Sequence, residues 1–368
     1  SPAIVKDFLA EMLQYALPAA TKDMHELVTY AQKIGDIKQL ERWDILHYSE
    51  KLKKEKFEID DALLRPYFKL ENVTKGVFNI ATRLFGLQFI ERNDIPTYHE
   101  DVVTYEVQDE AGKHLSVLYM DFFPRPGHKK DGAWMTHFRG QYRTEVGEEV
   151  RPHVSLVCNF TKPTETAPSL LTHNEVLTLF HEFGHGLHLI LSQCQYESLA
   201  GTNVSWDFVE LPSQLMENWG YAEEALHTFA HHYETGEAIP TEYLAKIRAS
   251  RVFQEGYATL RQVSFGLLDM AWHSQNPEDI TEIVAFEREA VASAQIDLPT
   301  VEGTLASTAF SHIFQGGYSS GYYSYKWAEV LEADAFELFE EKGVFDKATA
   351  ENLRQNILSK GSSEPPME

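Results

Sequence analysis

The sequence predicts a mainly α-helical protein with one small antiparallel β-sheet. Apolar residues recur at helical spacing over residues 1–92, opposite a face rich in lysine and glutamate. Between about residues 101 and 160, β-branched and aromatic runs such as VVTYEV and HVSLVCNF are separated by turn-forming segments, a pattern typical of antiparallel strands. Helical spacing returns from residue 172, so we expect the sheet to lie between two helical regions of the chain.

These elements are expected to form a single domain over residues 1–368, because no linker, internal repeat or low-complexity segment divides the chain. Charged helix faces such as the one in LEADAFELFEEKGVF are interpreted as solvent-exposed surface. In chain order we predict helices over 1–92, the sheet at about 101–160, paired helices over 172–220, and helices over 221–368 that include a Tyr- and Gly-rich loop at 310–325.

The composition argues against several classes of protein. With 368 residues and 43% hydrophobic content, the chain can bury a large core. It shows neither an apolar run long enough to span a membrane nor a readable secretory signal. The net charge of −24, from 56 acidic and 32 basic residues, repels the phosphate backbone of nucleic acids. Two cysteines are too few for a disulfide framework. We therefore predict a cytoplasmic protein, acting as a monomer, without nucleic-acid or membrane partners.

The segment LTLFHEFGHGLHLI places a metal-binding pattern on a predicted helix, for which Thr172 and Glu175 supply the N-cap and first turn. His181 and His185, at positions i and i+4, project from one face and can share a tetrahedral ion. Glu182 lies beside His181 and can reach a water held on that ion. This is the H-E-x-x-H pattern, in which two histidines bind zinc and the glutamate is the general base.

The motif alone is compatible with structural histidines, so a catalytic zinc site requires a third ligand. The segment SWDFVELPSQLMENWGY offers Asp207, Glu210 and Glu217, which we expect on one face of a second, antiparallel helix. One of these acids can bind a single Zn²⁺ per chain while the others hold the ligand histidines by their second ring nitrogens. A charge at a helix N-terminus and an ordinary surface acid remain the alternative interpretations of Asp207 and Glu217.

Three further residues of the histidine helix are interpreted as structural. His188 shares the face of His181, but the two are too far apart along the helix axis to bind one ion comfortably. We therefore expect His188 to be a hydrogen-bonded histidine that either is structural or supports a metal ligand from outside. Gly184 and Gly186 are predicted to mark places where a strand, the second helix or a ligand approaches the helix closely.

A second segment with chemically functional side chains is FSHIFQGGYSSGYYSYKWAEV, which we predict to form a flexible loop that leads into a helix. Its His312, Tyr318 and Tyr325 can direct imidazole and hydroxyl donors at an oxyanion. An aromatic stripe packed in the core remains the alternative interpretation of these residues.

Together, the motifs FHEFGHGLH, DFVELPSQLMENW and SHIFQGGYSSGYYSYKWAEV resemble the M3 family of zinc oligopeptidases, and the resemblance extends over essentially all 368 residues. It implies a zincin-type helical catalytic domain with a small antiparallel β-sheet beside the metal site. It also implies a deep channel that admits only short unstructured peptides, which the enzyme cleaves internally.

Matching the motifs residue by residue implies a role for each position. His181, His185 and Glu210 correspond to the zinc ligands, and Glu182 to the catalytic glutamate. The other correspondences are Tyr318 and Tyr325, which contact substrate and stabilise the transition state, and His312 and Tyr322, which bind substrate.

The sequence also leaves rival functions open. Members of the family carry a helical portion ahead of SPAIVKDFL and usually continue beyond GSSEPPME, so we expect this chain to be the catalytic part of such an enzyme. A peptidyl-dipeptidase shares all three motifs but recognises the free C-terminal carboxylate of its substrate. A zinc-bound fragment that binds peptides without turnover, and a purely structural helical protein, are the remaining alternatives.

Overall fold

The computed structural model describes residues 1–35, 37–299 and 301–366, and it confirms a mainly helical protein with a small sheet. The helices are α1 Pro2–Gly35, α2 Ile45–Phe57, α3 Asp61–Leu64, α4 Leu70–Phe85, α5 His173–Ile190, α6 Leu211–Glu217, α7 Glu223–Phe229, α8 Thr241–Ser250, α9 Glu255–His273, α10 Ile283–Ala290, α11 Ala306–Ala309, α12 Ser324–Lys342 and α13 Lys347–Leu353. The strands are β1 Gln88–Glu91, β2 Val103–Gln108, β3 His114–Asp121, β4 Trp134–Arg139, β5 Tyr142–Arg143, β6 Glu149–Val150 and β7 His153–Val157. Within the described ranges, no helix has the length and apolar character needed to cross a membrane.

The chain divides into two compact units. One comprises Ser1–Asp60 and Ala245–Trp327, and the other comprises Asp61–Leu244 and Ala328–Glu368. We call them the helical unit and the sheet unit. The organisation of residues 1–368 as a single domain stays a prediction.

The helical unit is built on the packing of α1 against α9. Leu9 and Val263, one from each helix, are fully buried in the same apolar cluster. Gly256 lets the two backbones approach, because a Cβ atom at this position would lie 2.6 Å from the carbonyl carbon of Ala19. This contact fixes α9, which accepts hydrogen bonds from the loop that contains the tyrosine motif.

The sheet unit contains a five-stranded sheet of order β1-β2-β3-β7-β4 and a small two-stranded sheet, β5-β6. Three of the pairings in the larger sheet are antiparallel, whereas β3 and β7 run parallel. The prediction of an antiparallel sheet was therefore wrong for this one pair. A short turn joins neighbouring strands in antiparallel order, but the long segment 122–152 separates β3 from β7 and permits either direction.

The histidine-bearing helix α5 starts at the predicted place. The Thr172 hydroxyl accepts a hydrogen bond from the backbone N–H of Glu175, whose carboxylate accepts one from the N–H of Thr172. This capping box satisfies two N–H groups that a helix start leaves without partners. Further along, Gly186 faces β7, since a Cβ atom there would lie 3.1 Å from Leu156. The metal-site helix thus lies directly on the parallel part of the sheet.

A buried ion cluster joins the ends of β3 and β7. Asp121 is 1% exposed, and the guanidinium of Arg125 donates to both of its carboxylate oxygens, at 2.8 and 2.6 Å. Lys129 Nζ donates to Asp121 Oδ1 at 2.9 Å and to the carbonyl oxygens of Phe123 and Cys158. Burial raises the pKa of Asp121, but the hydrogen bonds from Arg125 and Lys129 outweigh this and lower it to about 2.

We expect Lys129→Met to lower the free energy of unfolding by about 3–5 kcal/mol, because it removes one partner of a buried ion cluster. The neighbouring Lys130 is exposed, so Lys130→Met is the matched control and should change stability by less than about 0.5 kcal/mol. Urea unfolding of the two variants measures the difference. Equal stabilities would show that Lys129 does not hold the strand ends together.

Candidate metal centre

Three predicted zinc ligands meet in the sheet unit. His181 Nε2 and His185 Nε2, one turn apart on α5, each lie 3.2 Å from Glu210 Oε2. One potential ligand atom from each residue lies within 4.8 Å of the others. Two imidazoles and a carboxylate are a donor set that Zn²⁺ prefers, so these residues suit the metal that the motif predicts.

Gly184 explains how Glu210 reaches the histidines. A Cβ atom at this position would lie 2.4 Å from the carbonyl oxygen of Pro212 and 2.6 Å from the Cα atom of Ser213. Glycine therefore permits α6 to approach the backbone of α5 directly. The expectation that this glycine marks a close approach is confirmed, and the contact brings Glu210, the residue before α6, to the metal-binding face.

The second helix differs from the prediction in where it begins. α6 starts at Leu211, and Asp207 lies in the preceding turn at residues 206–210. The expectation that Asp207, Glu210 and Glu217 share one helical face was wrong, since only Glu217 belongs to the helix. Pro212 accounts for the late start, because proline has no N–H to donate and is favoured in the first turn of a helix.

Two partners hold the ligand side chains. Glu217 Oε1 lies 2.7 Å from His181 Nδ1, which leaves Nε2 of that ring directed at Glu210. The Ser213 hydroxyl donates to Glu210 Oε2 at 2.7 Å. Such contacts orient metal ligands and fix the histidine tautomer. The sequence predicts Glu217 as such a partner, but it gives no indication of Ser213 beyond the spacing of three residues from Glu210.

The charges at the site suit a cation. Burial raises the pKa of Glu210, but its contacts with the two histidines outweigh burial and lower it, so the carboxylate is ionised. Burial lowers the pKa of His181, whereas hydrogen bonds to Glu210 and Glu217 raise it well above the usual value. The centre therefore concentrates negative charge around two imidazoles.

Glu182 lies outside the group of potential metal ligands and is buried. Its side chain follows His181 on α5 and is 5% exposed. Its Oε2 atom is buried and has no hydrogen-bond partner within the described parts of the chain. Burial raises the pKa of this carboxylate, with a smaller opposing effect of the two histidines. A carboxylate with a raised pKa beside a metal-binding set is suited to accept and return a proton.

His188 is structural, but one part of its interpretation was wrong. The side chain is completely buried, and neither ring nitrogen has a hydrogen-bond partner among the residues described. Burial, and secondarily His185, lowers the pKa of His188 to about 3. The ring is therefore neutral and packs as part of the interior, without the hydrogen bonds that were expected.

The residues of the tyrosine motif lie together in the helical unit. His312 and Tyr318 have ring centroids 5.4 Å apart, and the rings of Tyr318 and Tyr325 stack at 4.9 Å. Tyr322 is 7% exposed and donates its hydroxyl to Gln262 on α9 at 2.8 Å. Burial raises the pKa of Tyr322 to about 12. The motif thus forms one aromatic cluster, in which Tyr322 contributes to the core.

Comparison with known proteins identifies the family. The model described as Peptidase family M3 matches residues 1–368. Oligopeptidase A of Escherichia coli (strain K12) is 42% identical over 373 residues, covering 100% of this chain and 54% of that protein. Oligopeptidase A of Salmonella typhimurium is 41% identical, with the same coverage. Dipeptidyl carboxypeptidase of Escherichia coli (strain K12) is 38% identical, covering 99% of this chain and 53% of that protein.

A solved structure supports the fold. The protein titled PZ peptidase A with inhibitor 2 matches with a TM-score of 0.55 at 15% identity, covering 99% of this chain and 53% of that one. The chain spans about half the length of the curated relatives cited above. The three motifs resemble those of bacterial oligopeptidase A in particular, and the identities of 41% and 42% confirm this resemblance. Because the family model matches the whole sequence, the chain belongs to peptidase family M3, as the motifs indicated.

Proposed function

We propose that this chain is the catalytic portion of a zinc-dependent endopeptidase that hydrolyses short unstructured oligopeptides. The observation that carries the proposal is the convergence of His181 Nε2, His185 Nε2 and Glu210 Oε2. The buried carboxylate of Glu182 follows His181 directly in the chain. Family membership supports it, since two of the relatives cited above are named oligopeptidase A.

Three side chains of the sheet unit would hold one zinc ion: His181, His185 and Glu210. When bound, zinc supplies Lewis acidity, which lowers the pKa of water and polarises a carbonyl group. Glu182 accepts the proton of the attacking water and passes it to the leaving amine. Glu217 keeps the His181 ring in the tautomer that presents Nε2.

The substrate backbone is proposed to pair with β4. This strand lies at an edge of the five-stranded sheet and pairs only with β7 among the described strands. Residues 136–139 of β4 are exposed, and the strand contacts α5 within the same unit. Main-chain hydrogen bonds to an open edge bind an extended peptide whatever its side chains. This mode of binding accounts for a preference for unstructured peptides.

The aromatic cluster of the helical unit is proposed to complete the reaction. Tyr318 and Tyr325 donate hydrogen bonds to the developing oxyanion, and His312 binds the peptide backbone. Donors that act mainly in the transition state raise kcat more than they lower KM. Tyr322 is assigned to substrate binding with them, although its hydroxyl is committed to Gln262.

Mass spectrometry of peptide digests tests the function. A short peptide with both ends blocked and the same peptide with free ends are incubated with the protein, with and without a chelator. Internal cuts in both peptides that the chelator stops and added zinc restores are the expected result. Bound zinc and peptide binding without cuts would replace the proposal with a zinc-containing peptide-binding fragment.

A second candidate is a peptidyl-dipeptidase that releases C-terminal dipeptides. It is supported by the 38% identity to Dipeptidyl carboxypeptidase of Escherichia coli. The two activities differ in their need for a free carboxylate at the substrate C-terminus. Loss of cleavage on amidation of that carboxylate, with dipeptides as the products, would favour the dipeptidase.

The cellular setting is also proposed. Short peptides are the expected partners, and we expect no binding to nucleic acid or membranes. We further infer that the protein is a monomer that acts in the cytoplasm. The net charge of −24 supports the exclusion of nucleic acid, because it disfavours contact with phosphate backbones.

A further inference from the structure

Asp269 is a buried carboxylate that binds the backbone of the tyrosine motif. It lies on α9 and is 0% exposed. Its Oδ1 atom accepts the N–H of Ser320 at 2.8 Å, and its Oδ2 atom accepts the N–H of Tyr322 at 2.9 Å. Both oxygens of one side chain therefore hold the loop at two alternate residues, and a buried carboxylate needs such donors to remain satisfied.

The backbone conformation of the loop near Ser320 requires stabilisation by residues outside the loop. Ser320 has a φ of +60°, in the left-handed region that non-glycine residues rarely adopt. Gly316 and Gly317, just before it, also have positive φ values, of 76° and 92°. A segment with two glycines and one unfavourable residue gains little stability from its own backbone. The hydrogen bonds to Asp269 therefore stabilise this one conformation of the loop relative to others.

The same helix contacts the loop at a second place. Gln262 accepts the hydroxyl of Tyr322 at 2.8 Å, so α9 holds this residue by both its amide and its side chain. His273 Nδ1 lies 2.8 Å from Asp269 Oδ1, which orients the carboxylate from the next turn. Gln262, Asp269 and His273 are seven and four residues apart, and therefore share one face of the helix.

We propose that Asp269 is a positioning residue for the peptidase reaction, acting by holding the loop that sets Tyr318 and Tyr325 in place. The inference rests on the proposed function, because it assigns Asp269 to the support of the oxyanion donors. The stacked rings of Tyr318 and Tyr325 flank the two anchored amides in the chain, so loss of the anchor displaces both hydroxyl groups together. Asp269 itself touches neither substrate nor metal in this assignment.

Asp269→Asn is the test variant, because it keeps the side-chain shape but turns one acceptor into a donor that opposes a backbone N–H. We expect kcat to fall by about 10–100-fold while KM changes by less than about threefold. The displaced tyrosine hydroxyls would stabilise the transition state less, whereas substrate binding in the ground state would change little. Asp279→Asn makes the same chemical change at an exposed site of the same unit and should leave both constants unchanged. Zinc content, and helix content measured by circular dichroism, should match those of the unsubstituted protein.

Hydrogen exchange supplies a reading that does not depend on turnover. In Asp269→Asn, the amides of residues 315–323 should exchange faster, whereas those of α9 should not. A purely structural role would lower protection throughout the helical unit. Unchanged exchange in the loop would overturn the proposed anchor.

A double-mutant cycle with Tyr325→Phe separates the inference from the function on which it rests. If Asp269 acts through the tyrosines, Asp269→Asn should lower kcat less in Tyr325→Phe than in the unsubstituted protein, and by less than about threefold once Tyr318→Phe is added. Multiplicative effects, or an Asp269→Asn variant with full activity beside an impaired Tyr325→Phe, would reject the positioning role and keep the function. Full activity of Tyr325→Phe would instead reject the oxyanion assignment and the inference with it. If Asp269→Asn does not fold, Asp269→Glu, which keeps the charge but moves the carboxylate away from the two amides, replaces it in the same cycle.

Discussion

Glu182→Gln should reduce kcat for peptide hydrolysis by about 10²–10⁴-fold while the protein keeps its zinc. Glutamine has nearly the same shape as glutamate but cannot accept a proton from water at neutral pH. The side chain is 5% exposed, and its Oε2 atom has no hydrogen-bond partner within the described ranges, so the exchange leaves no charged partner unpaired. The three proposed zinc ligands remain unchanged.

The measurement is kcat for an internally quenched peptide, together with zinc content by elemental analysis. Glu165→Gln makes the same change at an exposed position of the sheet unit and should keep full activity. Full turnover in Glu182→Gln would contradict its role as general base. Loss of zinc in this variant would instead show that the residue supports the metal centre.

Glu210→Gln should weaken zinc binding more strongly than Glu217→Gln. Glu210 supplies a carboxylate oxygen that lies 3.2 Å from the ligand nitrogens of both His181 and His185. Glu217 only contacts the far nitrogen of the His181 ring, at 2.7 Å. Loss of such an outer partner typically costs about 10–100-fold in metal affinity, and loss of a charged ligand should cost more.

Competition with a zinc-chelating dye measures both affinities, and circular dichroism checks that the helices are retained. The two variants form a matched pair, because each replaces one carboxylate oxygen of the same site by an amide nitrogen. Equal losses of affinity would contradict the assignment of Glu210 as the ligand and Glu217 as its support. Hydrolysis should decline in the same order as zinc occupancy.

Helix α5 shows how much of the site was readable from the sequence. The capping residues Thr172 and Glu175, the i and i+4 spacing of the histidines and the adjacent Glu182 are local features with a fixed geometry on a helix. Gly184 likewise signalled a close approach, which the structure assigns to α6. The cap and the histidine spacing could be predicted because they depend on residues within a few turns of one another, whereas the roles of the histidines and of Glu182 stay predictions.

The incorrect predictions concern features that depend mainly on the arrangement of other segments of the chain. The parallel pairing of β3 and β7 depends on the path of the long segment between them, which no strand pattern reveals. The missing partners of His188 depend on which side chains surround a fully buried ring. Asp207 was misplaced because one proline determined where α6 begins.

The sequence by itself determined the helical character, the family and the candidate ligands, because periodicity and motif spacing are encoded in neighbouring residues. The tertiary structure alone decided that Ser213 donates to Glu210 and that Asp269 holds the tyrosine loop, and it showed which of the acids offered by the sequence contacts His181, namely Glu217. Each of these contacts joins side chains or segments whose separation is set by packing. The hydrogen bonds form only after the helices and the loop have been brought together, so they cannot be predicted from a local sequence pattern alone.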